Sequence, residues 1–265
     1  MLKIEQATVK ISGFTILRGL SLEVPTGTIV GLIGRNGAGK TTTLRGIMGL
    51  LALESGRVNL DGLDLTRLSA HVRASHGIGY MPEDRRLIPM LSVEDNILVP
   101  AWARRIPAAE RRLATIYGLM PEVKALATRP ATQLSGGQQK LVALARCFMS
   151  GTRLLLLDEP FEGVAPALAQ RLVGAVKELA QAERGLSVLL CESEFRWPRL
   201  LASRIYLIER GEAVLEGTLS ARQPIPKQGR DAAGYGADTS SISAAPRRPK
   251  PQGRSDSQDD GVQAR

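Results

Sequence analysis

The chain of 265 residues is 43% apolar and 23% charged, a globular composition that excludes a wholly disordered chain, a collagen and a coiled coil. Its 35 basic residues against 26 acidic ones give a net charge of +9, which favours anionic partners such as nucleotide phosphates, nucleic acid or an anionic membrane surface, although a solvated basic surface explains it equally well. No apolar run reaches the ~18 residues of a membrane span, and two cysteines are too few for a secreted disulfide scaffold, so we expect the cytosolic side of a membrane.

The first third of the chain predicts strands that lead into a glycine-rich turn. Residues 2–11 and 17–24 have the pattern of an antiparallel pair of strands. Residues 28–34 form a continuous apolar run typical of a buried strand, and a helix is predicted over 40–50 after the turn. A further short apolar strand is predicted over 77–81.

The strand signal vanishes between about residues 84 and 150, where helical spacing replaces it. Three helices are predicted in this stretch, over 92–105, 108–120 and 136–149. We interpret the stretch as a helical subdomain inserted into an α/β core.

Strands return after the insertion, over 153–158 and 186–191, with a helix over 166–182 between them. Residues 205–209 and 212–216 are predicted to form a hairpin. Because strands and helices alternate, the sequence predicts an α/β fold with a mostly parallel sheet, helices on its faces and an antiparallel β region at the N-terminus.

The composition changes near residue 223, after which Pro, Gly, Ser and Ala dominate and large apolar residues almost disappear. Such a segment buries too little surface to offset the entropy of ordering it. We therefore predict a folded domain over 1–221 and a disordered basic tail over 222–265.

A glycine-rich segment follows the strand at 28–34 and matches the phosphate-binding pattern G-x-x-x-x-G-K-[ST]. Its glycines let backbone N–H groups turn toward a β-phosphate, and the next helix adds its positive N-terminal end. Lys40 brings a cation to the β- and γ-phosphates, and the Thr41 hydroxyl is suited to ligate Mg²⁺. The predicted nucleotide-binding residues here are Gly34, Arg35, Asn36, Gly37, Ala38, Gly39, Lys40, Thr41 and Thr42.

The apolar run at 154–157 ends in two acidic residues, Asp158 and Glu159. The end of the strand is expected to place Asp158 beside the phosphate loop, where it holds Mg²⁺ through water. Glu159 is then placed to polarise the water that attacks the γ-phosphate, so it is the candidate catalytic residue.

A second candidate phosphate-binding segment lies within the helical insertion. Its serine is a good N-cap, and its two glycines let an anion approach the start of the next helix. It follows Leu134 and consists of Ser135, Gly136, Gly137 and Gln138. This LSGGQ segment, between a phosphate loop and an apolar strand ending in Asp-Glu, resembles the nucleotide-binding subunit of an ABC transporter over roughly residues 1–218.

The resemblance implies a P-loop NTPase core that binds ATP and Mg²⁺. In that family two subunits pair head to tail, and each ATP lies between one subunit's phosphate loop and the other's LSGGQ segment. It therefore implies a second ATPase subunit, in a homo- or heterodimer, and transmembrane permease subunits at the cytoplasmic face of the inner membrane. A solute-binding protein outside the cytoplasm is implied as an indirect partner, and nucleic acid is not expected.

Finer patterns narrow the resemblance. The segments at 82–86, 91–96 and 159–166 are similar to the subgroup that imports branched-chain amino acids, although importers of urea and other amides share them. Residues near 85–105 are expected to contact the membrane subunit, with Trp102 either an exposed anchor there or a core residue.

Three positions depart from the family pattern. Glu83 aligns with the lid glutamine, and a carboxylate there can still ligate Mg²⁺. The adenine-stacking aromatic falls at Ile11, so Phe14 is the candidate for stacking, with a core role as the equal alternative. Ser193 replaces the switch histidine that contacts the γ-phosphate, which puts the strength of this subunit's own site in question. Both histidines of the chain lie far upstream and are interpreted as surface residues.

The function expected from this resemblance is ATP hydrolysis that drives solute import, of branched-chain amino acids or related amides. Two alternatives stay open. In the first alternative the chain is a weakly catalytic structural partner in a heterodimer. Ser193 supports this alternative and Glu159 argues against it. In the second the chain is a soluble ABC ATPase that acts on nucleic acid or ribosomes, which the basic charge supports and the single phosphate loop argues against.

Overall fold

Within residues 1–218, the part of the chain that the computed structural model describes, ten strands form two sheets. In chain order the strands are β1 (Leu2–Ile11), β2 (Phe14–Val24), β3 (Ile29–Ile33), β4 (Ser55–Leu60), β5 (Leu63–Asp64), β6 (Ile78–Met81), β7 (Leu154–Asp158), β8 (Ser187–Glu192), β9 (Arg204–Glu209) and β10 (Glu212–Thr218). The helices are α1 (Lys40–Met48), α2 (Ala70–Ser75), α3 (Val93–Arg104), α4 (Ala109–Leu119), α5 (Pro121–Lys124), α6 (Gly136–Ser150), α7 (Pro166–Ala182) and α8 (Pro198–Leu201). The predicted tail at 222–265 lies outside the described residues.

The smaller sheet is antiparallel, in the order β2-β1-β4-β5. The predicted pairing of the first two strands is confirmed, but β2 begins at Phe14 rather than at residue 17. β4 and β5 were not predicted, because SGRVNL lacks a run of β-branched or alternating apolar residues. Pairing with β1 forms β4, since Leu60 lies opposite Leu2 and Val58 opposite Ile4, and all four side chains are buried.

The larger sheet has the order β10-β9-β3-β8-β7-β6 and is parallel except for the hairpin of β9 and β10. This confirms the predicted mostly parallel α/β sheet. All five residues of β7 are buried, as expected for a strand covered on both faces. The register sets Ile33 opposite Glu192 and Asp158 opposite Cys191, so β3, β8 and β7 end together at one edge. We call it the carboxyl edge, and parallel α/β sheets bind their ligands at this kind of edge.

The stretch between β6 and β7 is helical, as predicted, and contains α3 to α6 with no strand longer than a single bridge. Ser92 caps α3 by accepting a hydrogen bond from the Asp95 N–H at 3.0 Å. Ile97 of α3 and Ile116 of α4 are buried in the same apolar cluster as Leu144 of α6. This cluster continues under β7, so α6 joins the helical stretch to the sheet. The boundaries of a separate subdomain remain a prediction.

Among residues 1–218 no helix combines the length and the apolar composition that crossing a bilayer requires.

Candidate functional site

The phosphate loop connects the end of β3 to the start of α1 at the carboxyl edge. A Cβ at position 34 would lie 2.3 Å from the Ile208 carbonyl oxygen, so only glycine at this position lets the loop run this close to β9. Gly39, directly before α1, has φ of 116°, a conformation that residues with a Cβ rarely adopt. The loop therefore turns back on itself and leads directly into the helix N-terminus, where backbone N–H groups attract anions.

Lys40 lies at the centre of the site and is only 5% exposed. Its Nζ donates to the carbonyl oxygens of Gly34 at 2.7 Å and Arg35 at 3.2 Å. The same atom lies 3.0 Å from Glu159 Oε1 and 3.1 Å from Ser193 Oγ. These acceptors satisfy the hydrogens of the buried Lys40 side chain and hold it in place where phosphate is predicted to bind.

Asp158, the last residue of β7, is fully buried. Its Oδ1 accepts a hydrogen bond from Thr41 Oγ1 at 3.2 Å, while its Oδ2 is buried with no hydrogen-bond partner among the described residues. Burial raises the pKa of Asp158 to about 6, and the charges of Glu83 and Glu159 add to the rise. A buried carboxylate oxygen without a donor, beside a hydroxyl, fits a divalent cation.

Glu83 follows β6, whose Met81 pairs with Leu157 in the neighbouring strand. The side chain is exposed, yet it is close enough to Asp158 to raise the pKa of that carboxyl. No three His, Cys, Asp or Glu side chains within residues 1–218 converge into a metal cage. Mg²⁺ at phosphate sites takes one or two carboxylates and completes its shell with phosphate and water, so Thr41, Asp158 and Glu83 remain compatible with it.

Glu159 is buried, and its backbone lies in the left-handed region with φ of 46°. Burial works against its ionisation, but hydrogen bonds from Lys40 and Ser193 and the Lys40 charge outweigh it and hold the pKa of Glu159 below its ordinary value. The carboxylate is therefore ionised at neutral pH. This is the protonation state that a water-polarising base needs.

Ser193, at the predicted switch position, connects three of these groups. Its Oγ lies 2.8 Å from Asn36 Oδ1, 2.8 Å from Glu159 Oε1 and 3.1 Å from Lys40 Nζ. The structure thus brings Ser193 together with the phosphate loop and the candidate base. This agrees with the switch position that the family resemblance implies for it.

The second candidate phosphate segment is built differently. Ser135 Oγ accepts from the Gln138 N–H at 3.3 Å, and Gln138 Oε1 accepts from the Ser135 N–H at 2.9 Å, so the predicted N-cap is confirmed as a capping box. Ser135 and Gly136 are exposed. Within residues 1–218 no hydrogen bond joins this segment to the phosphate loop, so one chain does not bring the two phosphate-binding segments together.

Phe14 is 75% exposed at the first position of β2, which rules out the core role. Its part in stacking on a base stays a prediction. Trp102 is 56% exposed on α3, which likewise favours the anchor over the core role. Of the two histidines, His71 is exposed and His76 half-buried.

Sequence reasoning missed two buried charged residues beside the site, Lys140 on α6 and Glu192 at the end of β8. Phe161 N–H donates to Glu192 Oε1 at 3.0 Å, and burial raises the pKa of Glu192 to about 8. The sequence carried one weak signal, since Lys140 stands directly before the apolar run 141–144 and Glu192 directly after the apolar run 188–191. That signal marks the two positions but not the groups that they contact.

The sequence matches the family model of the ABC transporter over residues 17–162. It is similar to a probable ABC transporter ATP-binding protein of Azorhizobium caulinodans, at 38% identity over 77% of this chain and 73% of that protein. The lipopolysaccharide export system ATP-binding protein LptB of Escherichia coli is 34% identical over 78% of this chain and 86% of its own.

The high-affinity branched-chain amino acid transport ATP-binding protein BraG of Pseudomonas aeruginosa is 33% identical over 86% of this chain and 97% of its own. The fold is similar to that of an ATP-binding cassette of an ABC transporter solved in its ADP conformation. That likeness has a TM-score of 0.69 and 27% identity, and it covers 82% of this chain and 91% of the other.

Proposed function

This chain belongs to the ABC transporter family as an ATP-binding subunit that hydrolyses ATP, and on that premise we propose that it powers the import of a branched-chain amino acid or a related amide. The likeness to BraG, which covers nearly all of that protein, supports the proposal. The segments at 82–86, 91–96 and 159–166 support it too, because their residue patterns resemble this group of importers.

The observation that carries the proposed chemistry is the meeting of Lys40, Asp158 and Glu159 at the carboxyl edge. ATP phosphates are proposed to lie on residues 34–41, where backbone N–H groups, the start of α1 and Lys40 offset their charge. Thr41, Asp158 and Glu83 would hold Mg²⁺, which when bound offsets charge on the β- and γ-phosphates.

The contacts of Lys40 suggest how binding prepares the base. Its Nζ has three hydrogens and already contacts Gly34, Arg35, Glu159 and Ser193, so a phosphate oxygen has to replace some of these acceptors, and in this proposal it replaces the Glu159 carboxylate. Glu159 then has an oxygen available to accept a hydrogen bond from the attacking water. In this proposal Glu159 polarises that water toward the γ-phosphorus, and the ammonium of Lys40 stabilises the charge that develops on the phosphate.

We further propose that the active unit is a dimer. Gly136 is exposed directly after the N-cap at the start of α6, where the first backbone N–H groups of a helix have no partner within the helix. A partner's ATP would complete the site there, on the phosphate loop of a second ATPase subunit. The dimer would bind permease subunits at the cytoplasmic face of the membrane, as a peripheral component of the transporter. A solute-binding protein outside the cytoplasm would deliver the solute to the permeases.

A second candidate function is lipopolysaccharide export. The likeness to LptB favours it, because the identity to this relative equals that to BraG within one percentage point. The catalytic site would be the same in both cases, and the permease partners would differ.

Reconstitution tests the proposal. The chain is assembled with candidate permease subunits in right-side-out vesicles that hold ATP inside, with a solute-binding protein outside. We expect ATP-dependent uptake of radiolabelled leucine or of a short-chain amide, and no uptake with the Lys40→Ala variant. Release of lipopolysaccharide from the vesicles, without uptake of either solute, would overturn import and support the second candidate.

A further inference from the structure

Lys140 occupies an unusual place for a lysine. It lies on α6, two residues after the capping box, and is only 4% exposed. Its Nζ donates to the carbonyl oxygen of Glu159 at 2.8 Å and also to the carbonyl oxygen of Glu162. Within residues 1–218 no carboxylate lies within ion-pair distance of it. A buried ammonium held by backbone carbonyls alone is costly, so its position calls for a role.

The surroundings of Lys140 show how its charge is kept. Burial lowers the pKa of Lys140, and the negative charge of Glu162 is the largest influence that opposes this shift. Glu162 belongs to the turn after β7. The ammonium therefore sits against the segment that carries the candidate base.

The backbone of Glu159 needs support from outside. Its φ of 46° lies in the left-handed region, which a residue with a long side chain holds only when neighbouring groups fix it. Its N–H donates to the Cys191 carbonyl at 3.0 Å, and its carbonyl accepts from Lys140. The two contacts fix both peptide groups of Glu159, and with them the direction of its carboxylate toward Lys40.

We propose that Lys140 is a positioning residue that couples the start of α6 to Glu159. The segment 135–138 forms the start of the same helix. Because an α-helix rises about 1.5 Å per residue, Lys140 lies only a few ångströms along the axis from this segment. A displacement of that segment therefore moves the ammonium and the Glu159 carbonyl with it. This coupling rests on the proposed function, in which 135–138 contacts the partner's ATP. When that contact forms, Lys140 sets Glu159 in its working orientation.

The test compares Lys140→Met, which keeps length and removes the donor, with Lys140→Arg, which restores it. Lys177→Met, on the exposed side of α7, is the matched control. Full-length protein is assayed for ATP affinity with a fluorescent ATP analogue, and for the kcat and KM of ATP hydrolysis. We expect Lys140→Met to lower kcat by ~10- to 100-fold with ATP affinity and KM within ~3-fold of wild type, because misplacing a catalytic group costs up to about this much. Lys140→Arg should regain most of the loss, and the control should match wild type.

A kcat within ~3-fold of wild type in folded Lys140→Met would overturn the proposal, as would an arginine variant no better than the methionine one. If Lys140→Met does not fold, Lys140→Leu, which also lacks a donor, takes its place under the same criteria. A second measurement separates this inference from the proposed function: ATP-dependent dimerisation of Glu159→Gln with and without Lys140→Met. We expect both the single variant Glu159→Gln and the double variant to form a dimer with ATP. If the single variant forms no dimer, the proposed composite site is contradicted, whereas the kcat of the Lys140 variants still decides whether Lys140 positions Glu159.

Discussion

The two phosphate-binding segments of this chain differ in how complete they are. At the carboxyl edge the side chains of Lys40, Asp158, Glu159 and Ser193 contact one another or their close neighbours, and the first three are buried. At the start of α6, Ser135 and Gln138 satisfy only each other, and the adjoining Gly136 is exposed.

This difference indicates which groups a single chain supplies for ATP hydrolysis and which groups would act on the nucleotide of another chain. The carboxyl edge brings together a cation, the candidate base Glu159 and the carboxylate of Asp158, which is proposed to bind the metal, within a single chain. The start of α6 has backbone N–H groups and no charge of its own, so it is suited to clamp a phosphate that another molecule brings. Loss of an edge residue should therefore change the chemistry of a single chain, and loss of a residue at 135–138 should not.

Glu159→Gln should have the largest effect. The amide keeps the size of the side chain but removes the charge that polarises water, so hydrolysis should fall by ~10²–10⁴ while ATP binding survives. Steady-state phosphate release from the assembled transporter measures the loss. If turnover barely changes while the same substitution in a partner subunit abolishes it, this chain is the structural half of a heterodimer.

Lys40→Ala should lower the ATP affinity of the isolated chain by roughly 100-fold, because the loop loses the cation that makes charge-assisted hydrogen bonds to phosphate. Titration with a fluorescent ATP analogue measures it, with Lys177→Ala as the matched control. Retained affinity in the folded variant would contradict the assignment of the phosphate loop.

Asp158→Asn should stabilise the fold in the absence of Mg²⁺. Because the folded-state pKa of about 6 lies above the ordinary value of 3.8, the ionised carboxylate destabilises the fold above pH 6, and this cost disappears as the pH falls toward about 3. We expect a gain of on the order of 3 kcal/mol in unfolding free energy at pH 7.5, on the order of 1 kcal/mol near pH 4.5, and almost none below about pH 3.

Urea denaturation with EDTA present measures this gain, and Glu178→Gln on the exposed side of α7 is the control. A loss of stability at pH 7.5 would mean that the carboxylate of Asp158 is satisfied by a partner other than a metal.

Ser135→Ala should have the smallest effect on the fold, about 1 kcal/mol for a lost N-cap. ATP affinity of the isolated chain should not change, while hydrolysis by the assembled dimer should fall. A drop in the affinity of the monomer would break the contrast between the two regions, because it would place this segment on the chain's own nucleotide.

Much of the larger sheet could be predicted from the sequence, because parallel strands buried on both faces read as continuous apolar runs such as LLLLD. β4 and β5 could not, since their strand geometry comes from pairing with β1 rather than from their own residues. The helix α2 was missed for a similar reason. It is only six residues long, and its buried Arg73 donates to carbonyl oxygens of Gly46 and Ile47 at the end of α1.

The residues of the candidate site also differ in whether local sequence predicts them. The phosphate loop, Asp158 and Glu159 could be predicted as site residues because their spacing along the chain is itself the signal. Lys140 and Glu192 were not found, because they meet Glu159 and Phe161 only through packing of α6 and β8 against the turn after β7. Contacts between segments distant in sequence leave no local pattern.

The hydroxyl of Ser193 has one further consequence. Two oxygen acceptors, on Asn36 and Glu159, lie at the same 2.8 Å from it, yet it carries a single hydrogen. It can serve only one of them at a time, and the choice is made by rotation about one bond. An imidazole, with two ring nitrogens, can serve a neighbour on each side and can also take up a proton. In this chain the hydroxyl of Ser193 instead accepts a hydrogen bond from Lys40 and donates its one hydrogen to a single neighbour, with no second donor and no proton to take up at neutral pH.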